Sequence, residues 1–278
     1  MLNLPPEILR PLFIAGILLG FMSTIDTLAY GVRTAGVLSK RLALSLALFN
    51  VVVTFSRMGN LVQAPIIGNY PDKVSRGVYT TAEVLLALRI NLLFVVGGVI
   101  IGALLMPSFI NLTRRGIAIV ERRGSLPPAV LHGLLRIWRL PLYLRAPRTS
   151  DIMPYLDLQA IPRGFLIFNV FVTCFYSIGV MSTVMAASLD HNVAATSILL
   201  SGIVNGIGTL LLFIIVDPPA AIIVDQCIAG IRPEGHAITL NVFLVCTRLA
   251  GTLLGIAALP LMARYVLAVA HWVDAFLT

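Results

Sequence analysis

Residues 84–108 read VLLALRINLLFVVGGVIIGALLMPS, and the run carries a single charge, Arg89. About 20 predominantly apolar residues cross the ~30 Å hydrocarbon core of a bilayer as a helix, so this run is long enough to span. Five further stretches approach the same length, at 11–31, 42–67, 164–187, 194–216 and 238–259. The expected fold is therefore an all-α integral membrane protein with about six transmembrane helices. Composition agrees: of 278 residues, 58% are hydrophobic and 12% charged, about half the usual charge of a soluble domain. Mean hydropathy is +0.96. The opening MLNLPPEILRP lacks the basic start of a secretory signal, and no small-residue cleavage site follows the first span. That span is expected to be retained.

The net charge of +8 is read as topology rather than nucleic-acid binding, because its densest cluster falls between two spans. Nine arginines lie between Arg114 and Arg163. With six spans, that side also receives Arg33, Lys40, Arg41 and Arg232, thirteen in all, against five on the other side. Lys and Arg accumulate in cytoplasmic loops. This places 111–163 in the cytoplasm as a basic connector and both termini outside. Within it, PPAVLHGLLRIWRLPLYLR (127–145) puts Val130, Leu131, Leu134, Leu135 and Trp138 on one helical face, flanked by His132, Arg136 and Arg139. That pattern fits an interfacial helix attracted to anionic membrane lipids, or a basic loop that only sets topology.

A repeat connects the two ends of the chain. At an offset of 153 residues, Pro65, Asp72, Gly77, Gly98, Gly102 and Pro107 match Pro218, Asp225, Gly230, Gly251, Gly255 and Pro260. GVIIGALLMP (98–107) and GTLLGIAALP (251–260) share a G-x3-G-x4-P pattern in the third and sixth spans. Five of the six identities are Gly or Pro, residues that mark backbone geometry. The division that follows is a three-span half at 1–110, the connector at 111–163 and a second three-span half at 164–278. Because three is odd, the second half would be inverted, a recurring plan for secondary transporters. The segment DPPAAIIVDQCIAGI (217–231) and its counterpart 65–79 read as short re-entrant or broken helices.

The candidate site is a set of polar residues inside the spans. In LALSLALFNVVVTFSRMGNLVQAP (42–65), Asn50, Thr54, Arg57 and Asn60 fall on one helical face, with Gln63 at its edge. In the sixth span Asn241, Arg248 and Thr252 share a face. An Arg near mid-bilayer costs ~2.5–3.5 kcal/mol on insertion scales, so Arg57 and Arg248 should face protein or water. They can form an anion-binding wall suited to phosphate, or make structural interhelix pairs. Asp26 could neutralise Arg57 or take up a coupling proton. In the fifth span, Gly202 and Gly206 are expected to permit close helix packing. Asp72, Glu83, Asp217 and Asp225 fall near span ends, where solvated acids are ordinary.

No H-E-x-x-H, G-x-S-x-G, P-loop or paired-Asp magnesium motif is present. The four histidines are scattered, and Cys174, Cys227 and Cys246 lie at unrelated spacings. The sequence therefore points to no catalytic residue, no metal and no cofactor.

The run STIDTLAYGVRTAGVLSKRLALSLALFNVVVTFSRMGNLVQAPIIG (23–68) resembles the opening of the Amj family, the alternate lipid II flippases of bacteria. TLAYGVRTAGV, KRLALSLALFN and SR-x-x-N-x-x-QAP carry the resemblance most specifically. It implies translocation of lipid II, the undecaprenyl-pyrophosphate-linked peptidoglycan precursor, from the inner to the outer leaflet of the bacterial cytoplasmic membrane. Arginines on polar stripes could stabilise the pyrophosphate, and such transport needs no covalent catalysis. The competing readings are a carrier of another polyprenyl phosphate or anionic lipid, an intramembrane lipid hydrolase, and a non-catalytic partner in envelope assembly. Six spans make a small enclosure for a large headgroup, which points towards a homodimer.

Overall fold

The computed structural model describes residues 4–123, 153–157 and 159–277; within helices, the side chains of residues 42, 55, 57, 60, 61 and 277 lie outside that description. Most of the described residues are helical, with no strand among them. The helices are α1 (Pro6–Ser39), α2 (Leu42–Gly68), α3 (Tyr70–Ser75), α4 (Thr81–Arg123), α5 (Arg163–Leu189), α6 (Ala194–Leu211), α7 (Asp217–Ile228) and α8 (Gly235–Leu277). A π-helical turn, Leu212–Val216, joins α6 to α7. Five helical stretches among the described residues are long and apolar enough to cross a membrane: Pro6–Ser39, Thr81–Arg122, Arg163–Leu189, Ala194–Ile228 and Gly235–Phe276. The second expected span, 42–67, is helical throughout and falls within α2.

Two pairs of helices form the frame, each held by small residues. Gly98 and Gly102 of α4 meet α1, where an added Cβ at Gly98 would overlap the Gly20 carbonyl and one at Gly102 would lie 2.7 Å from Thr27 Cβ. Gly251 and Gly255 of α8 meet α5 in the same manner, with a Cβ at Gly255 only 2.8 Å from Ile178 Cγ2. Without a side chain the backbones can approach closely, and polar groups then bond across the seam. Ser23 Oγ donates to the Val95 carbonyl at 3.0 Å and Thr24 Oγ1 to the Gly98 carbonyl at 3.1 Å. In the other pair Asn169 Nδ2 donates to Thr247 Oγ1 at 2.7 Å, and the Ser177 and Thr252 hydroxyls lie 3.3 Å apart.

Contact order along these seams fixes the helix directions. Positions rise together in α1 and α4, and again in α5 and α8, so both pairs are parallel. Between α1 and α8 they run opposite: Asp26 meets Arg248, while Thr34, further along α1, meets Asn241. These two helices are antiparallel. The ends of α1, α4 and the starts of α5 and α8 thus share one end of the bundle, the connector end, where Arg41 and Glu121 are ion-paired.

The offset of 153 residues recurs in the helix boundaries and in one turn. α3 ends at Ser75 and α7 at Ile228. After each, a glycine adopts the left-handed conformation, Gly77 at φ 71° and Gly230 at φ 74°. Four backbone hydrogen bonds repeat residue for residue. The N–H groups of Arg76, Gly77, Val78 and Tyr79 donate to the carbonyls of Asp72, Val74, Lys73 and Lys73. Those of Ala229, Gly230, Ile231 and Arg232 donate to Asp225, Cys227, Gln226 and Gln226. This is how a glycine past a helix C-terminus satisfies the last carbonyls.

Several expectations are corrected. α4 continues unbroken to Arg123, so the start of the expected connector, 111–123, is a helical extension of the third span. The expected interfacial helix at 127–145 lies outside the described residues. The segment 217–231 does not stand apart from the fifth span: α6, the π turn and α7 follow one another in a single helical stretch, Ala194–Ile228, interrupted in its regular pairing by the π turn. Its counterpart differs, with α2 ending at Gly68 before the short α3. Among the described residues, a Cβ at Gly202 or Gly206 would meet nothing within 4 Å, and both glycines are exposed on α6. Arg33 does not belong to a loop; it lies inside α1, 3% exposed. Removing it leaves the basic asymmetry at twelve to five.

Candidate functional site

At the seam between α1 and α8, the buried Arg248 Nη2 donates to Asp26 Oδ2 at 3.0 Å. The Tyr30 side chain lies beside the same guanidinium, and Arg248 Nε has no partner among the described residues. Asp26 therefore meets Arg248, and the side chain of its other expected partner, Arg57, lies outside the described residues. A charge so far along a span is tolerable here because a counter-charge meets it inside protein.

Two cavities adjoin this pair. The larger, about 360 Å³, is lined by Asp26, Tyr30, Asn50, Thr54, Tyr176, Asp217 and Arg248 among others, and lies towards the connector end. The smaller, about 60 Å³, lies towards the opposite end and is lined by Asp26, Gln63, Tyr176, Asn205 and Arg248 among others. Asp26, Arg248 and Tyr176 line both. The ion pair and Tyr176 thus form a partition between two spaces stacked along the bundle.

The structure distributes the expected residues as follows. Asn50 and Thr54 of α2 are exposed and face the larger cavity. Gln63, 1% exposed, faces the smaller one with its Nε2 unpartnered, so it offers a buried donor to anything that enters. Asn241 sits apart in the α1–α8 seam, where its Nδ2 donates to Thr34 Oγ1 at 2.6 Å. Arg57 and Asn60 lie on α2, their side chains outside the described residues.

Three residues escaped the sequence reading. Tyr176 had no signal, since an aromatic in an apolar span is ordinary. Arg33 did have one: it stands seven residues after Asp26 and hence on the same helical face. Its Nη2 donates to Asp217 Oδ1 at 2.6 Å, so Asp217 is an ion-paired residue of the cavity wall and not a merely solvated span-end acid. Among the described residues no group of three His, Cys, Asp or Glu could hold a metal ion. The arrangement supplies arginine donors, amides and hydroxyls around water-sized and larger space. These groups are the kind that hydrogen-bond an anion.

The family model described as "Amj: Alternate to MurJ" matches residues 18–270. The chain belongs to the Amj family. It is 34% identical to the lipid II flippase Amj of Bacillus subtilis (strain 168) over 234 residues, 83% of this chain and 86% of the relative. The match to the Amj model covers α2, α5, α6 and the whole partition of Asp26, Tyr176 and Arg248. No solved structure matches.

Proposed function

We propose that this Amj-family chain is a flippase that carries lipid II from the inner to the outer leaflet of the bacterial cytoplasmic membrane. The observation that carries this reading is the partition of Arg248, Asp26 and Tyr176 between two cavities inside a bundle of membrane-length helices. A flippase has to give a charged headgroup a polar route past hydrocarbon. A guanidinium can exchange a carboxylate for a phosphate oxygen on the same planar fork. Arg248 then takes the pyrophosphate when Asp26 gives way. Asn50 and Gln63 supply polar contacts on either side, Asn241 holds the seam, and Arg57 and Asn60 of α2 complete the proposed set of substrate-binding residues. Asp26 is the charge partner and takes the coupling proton when substrate displaces it. Pockets for drug-sized ligands run from about 300 to 1,000 Å³, so the larger cavity suits the pyrophosphate, and the sugars and peptide must project past the exposed Asn50 and Thr54 or widen it. No covalent step is required of the protein.

The architecture proposed with this function is two inverted three-span halves, 1–110 and 164–278, joined by the connector 111–163. Its support is the parallel seams within each half, the antiparallel α1–α8 seam and the repeated turn at Gly77 and Gly230. The connector end faces the cytoplasm and both termini lie outside, in keeping with the basic asymmetry. The larger cavity then opens on the inner-leaflet side. The connector arginines gather anionic lipid there, and a homodimer would enlarge the enclosure.

The test is reconstitution into liposomes with labelled lipid II, undecaprenyl pyrophosphate and an anionic phospholipid in separate arms. Protein-dependent leaflet exchange of lipid II is expected. Exchange of the phospholipid in preference to lipid II would overturn the substrate assignment, and no exchange of any of them would overturn the transport reading.

A further inference from the structure

Arg33 touches the wall of the larger cavity without having a place in the transport reading so far. It is buried, its guanidinium carbon lies 4.2 Å from the centroid of the Phe49 ring, and its Nη2 bonds Asp217. Both Phe49 and Asp217 line the cavity. The Nε of Arg33 has no partner among the described residues. Arg33 lies two turns from Asp26 on α1, about 10 Å along the axis. The cavity is therefore bordered by two arginine–aspartate pairs, one at the partition and one nearer the connector end. In each pair the aspartate faces the cavity.

A buried ion pair contributes little to stability compared with apolar residues of similar volume, so its presence beside a cavity is weakly explained by folding alone. The placement of Asp217 adds a second argument. It follows directly after the π turn Leu212–Val216, and Leu212, Phe213 and Val216 of that turn also line the cavity. A π turn interrupts the regular i to i−4 ladder and often marks functional sites. Asp217 is thus held at an interruption of the ladder rather than inside a regular helix.

We infer that Arg33, covered by Asp217 in this state, is a phosphate-binding station that receives the lipid pyrophosphate before Arg248 does. This rests on the reading of the larger cavity as the lipid pathway. A phosphate replaces the Asp217 carboxylate on the Arg33 fork, then passes two turns along α1 to Arg248 as Asp26 yields. Each aspartate keeps its arginine neutralised while no substrate is present.

The test uses the full chain in liposomes and in detergent. The double variant Arg33→Leu with Asp217→Leu removes both charges together and leaves neither orphaned. Lipid II exchange is expected to fall on the order of tenfold or more, with normal accumulation. Wild-type exchange in that variant would overturn the inference. Should it fail to accumulate, Asp217→Asn decides: binding of geranylgeranyl pyrophosphate is expected to tighten on the order of tenfold, or about 1.4 kcal/mol, because the competing carboxylate is gone. Unchanged or weaker binding would overturn the inference, since a purely structural pair predicts that outcome. Active wild type, silent Arg248→Ala and a fully active double variant would refute this station alone. Inactive wild type would refute the transport reading itself.

Discussion

Arg248 and Asp26 meet at 3.0 Å in the wall shared by both cavities, so a single ion pair joins α8 to α1 and also divides the space between them. Its structural and transport roles can be separated. Arg248→Ala leaves a half-buried carboxylate unpaired, which costs up to about 3 kcal/mol, the lower end for a fully buried charge. Adding Asp26→Asn removes the stranded charge. The double variant should regain most of the thermal stability lost by Arg248→Ala, and lipid II exchange should stay absent in both. Arg248→Lys should restore exchange only in part, because an ammonium lacks the bidentate fork. Melting temperature in detergent, read beside exchange in liposomes, checks all three. Recovery of exchange in the double variant would show that Arg248 only neutralised Asp26.

The spans were legible in the sequence because apolar length is a local property. The partners inside them were not. Asp26 had two mid-span arginines to choose from, and only the antiparallel crossing of α1 and α8 brings Arg248 to it. Arg33 was assigned to a loop for a similar reason: it stands seven residues before Lys40, and α1 runs on to Ser39, beyond the apolar window. Asp217 read as a span-end acid because the continuity of α6, the π turn and α7 depends on backbone geometry that hydropathy does not encode. The glycine repeat was visible because a missing Cβ is itself the structural feature. Yet the same residue type misled at Gly202 and Gly206, where spacing suggested a seam and the fold places open space.

That contrast gives a packing prediction. Gly98→Ala and Gly251→Ala each insert a methyl against a backbone carbonyl, of Gly20 and Val170 respectively. Overpacking of this kind costs about 1–3 kcal/mol. Gly202→Ala and Gly206→Ala meet nothing within 4 Å and should stay within about 0.5 kcal/mol of wild type. Thermal unfolding of the four variants in one detergent checks the ranking. Equal losses at all four would mean that the α1–α4 and α5–α8 seams are not the close contacts described.

Orientation is tested by accessibility. Cys174 and Cys227 are buried and Cys246 is exposed, so all three are replaced by Ala first. A cysteine at Phe276, which is 76% exposed near the end of α8, should react with an impermeant maleimide added outside intact cells. A cysteine at the exposed Glu121, at the connector end of α4, should react only after permeabilisation. The reverse pattern would turn the bundle over and place the larger cavity on the outer-leaflet side.

The repeated turn supplies the final prediction. Gly77 and Gly230 hold φ near +70° and carry matching sets of backbone hydrogen bonds, yet they lie 153 residues apart in turns that share only Asp72/Asp225 besides the glycine. Neither has an atom within 4 Å of an added Cβ, so substitution meets no steric clash with the surroundings. What remains is the intrinsic cost of placing an L-residue in the left-handed region, about 1–2 kcal/mol. If the two turns are the same device in two halves, Gly77→Ala and Gly230→Ala should destabilise the protein by similar amounts. Gly→Asn at either should cost less, because Asn tolerates that conformation better than Ala. Distant independent sites add, so the double Ala variant should lose the sum of the two single losses within about 0.5 kcal/mol. Melting temperatures of the five variants, measured in the same detergent, provide the check. A large loss at one glycine and none at the other would mean that the turns share geometry without sharing a structural role, and would weaken the case for two inverted halves.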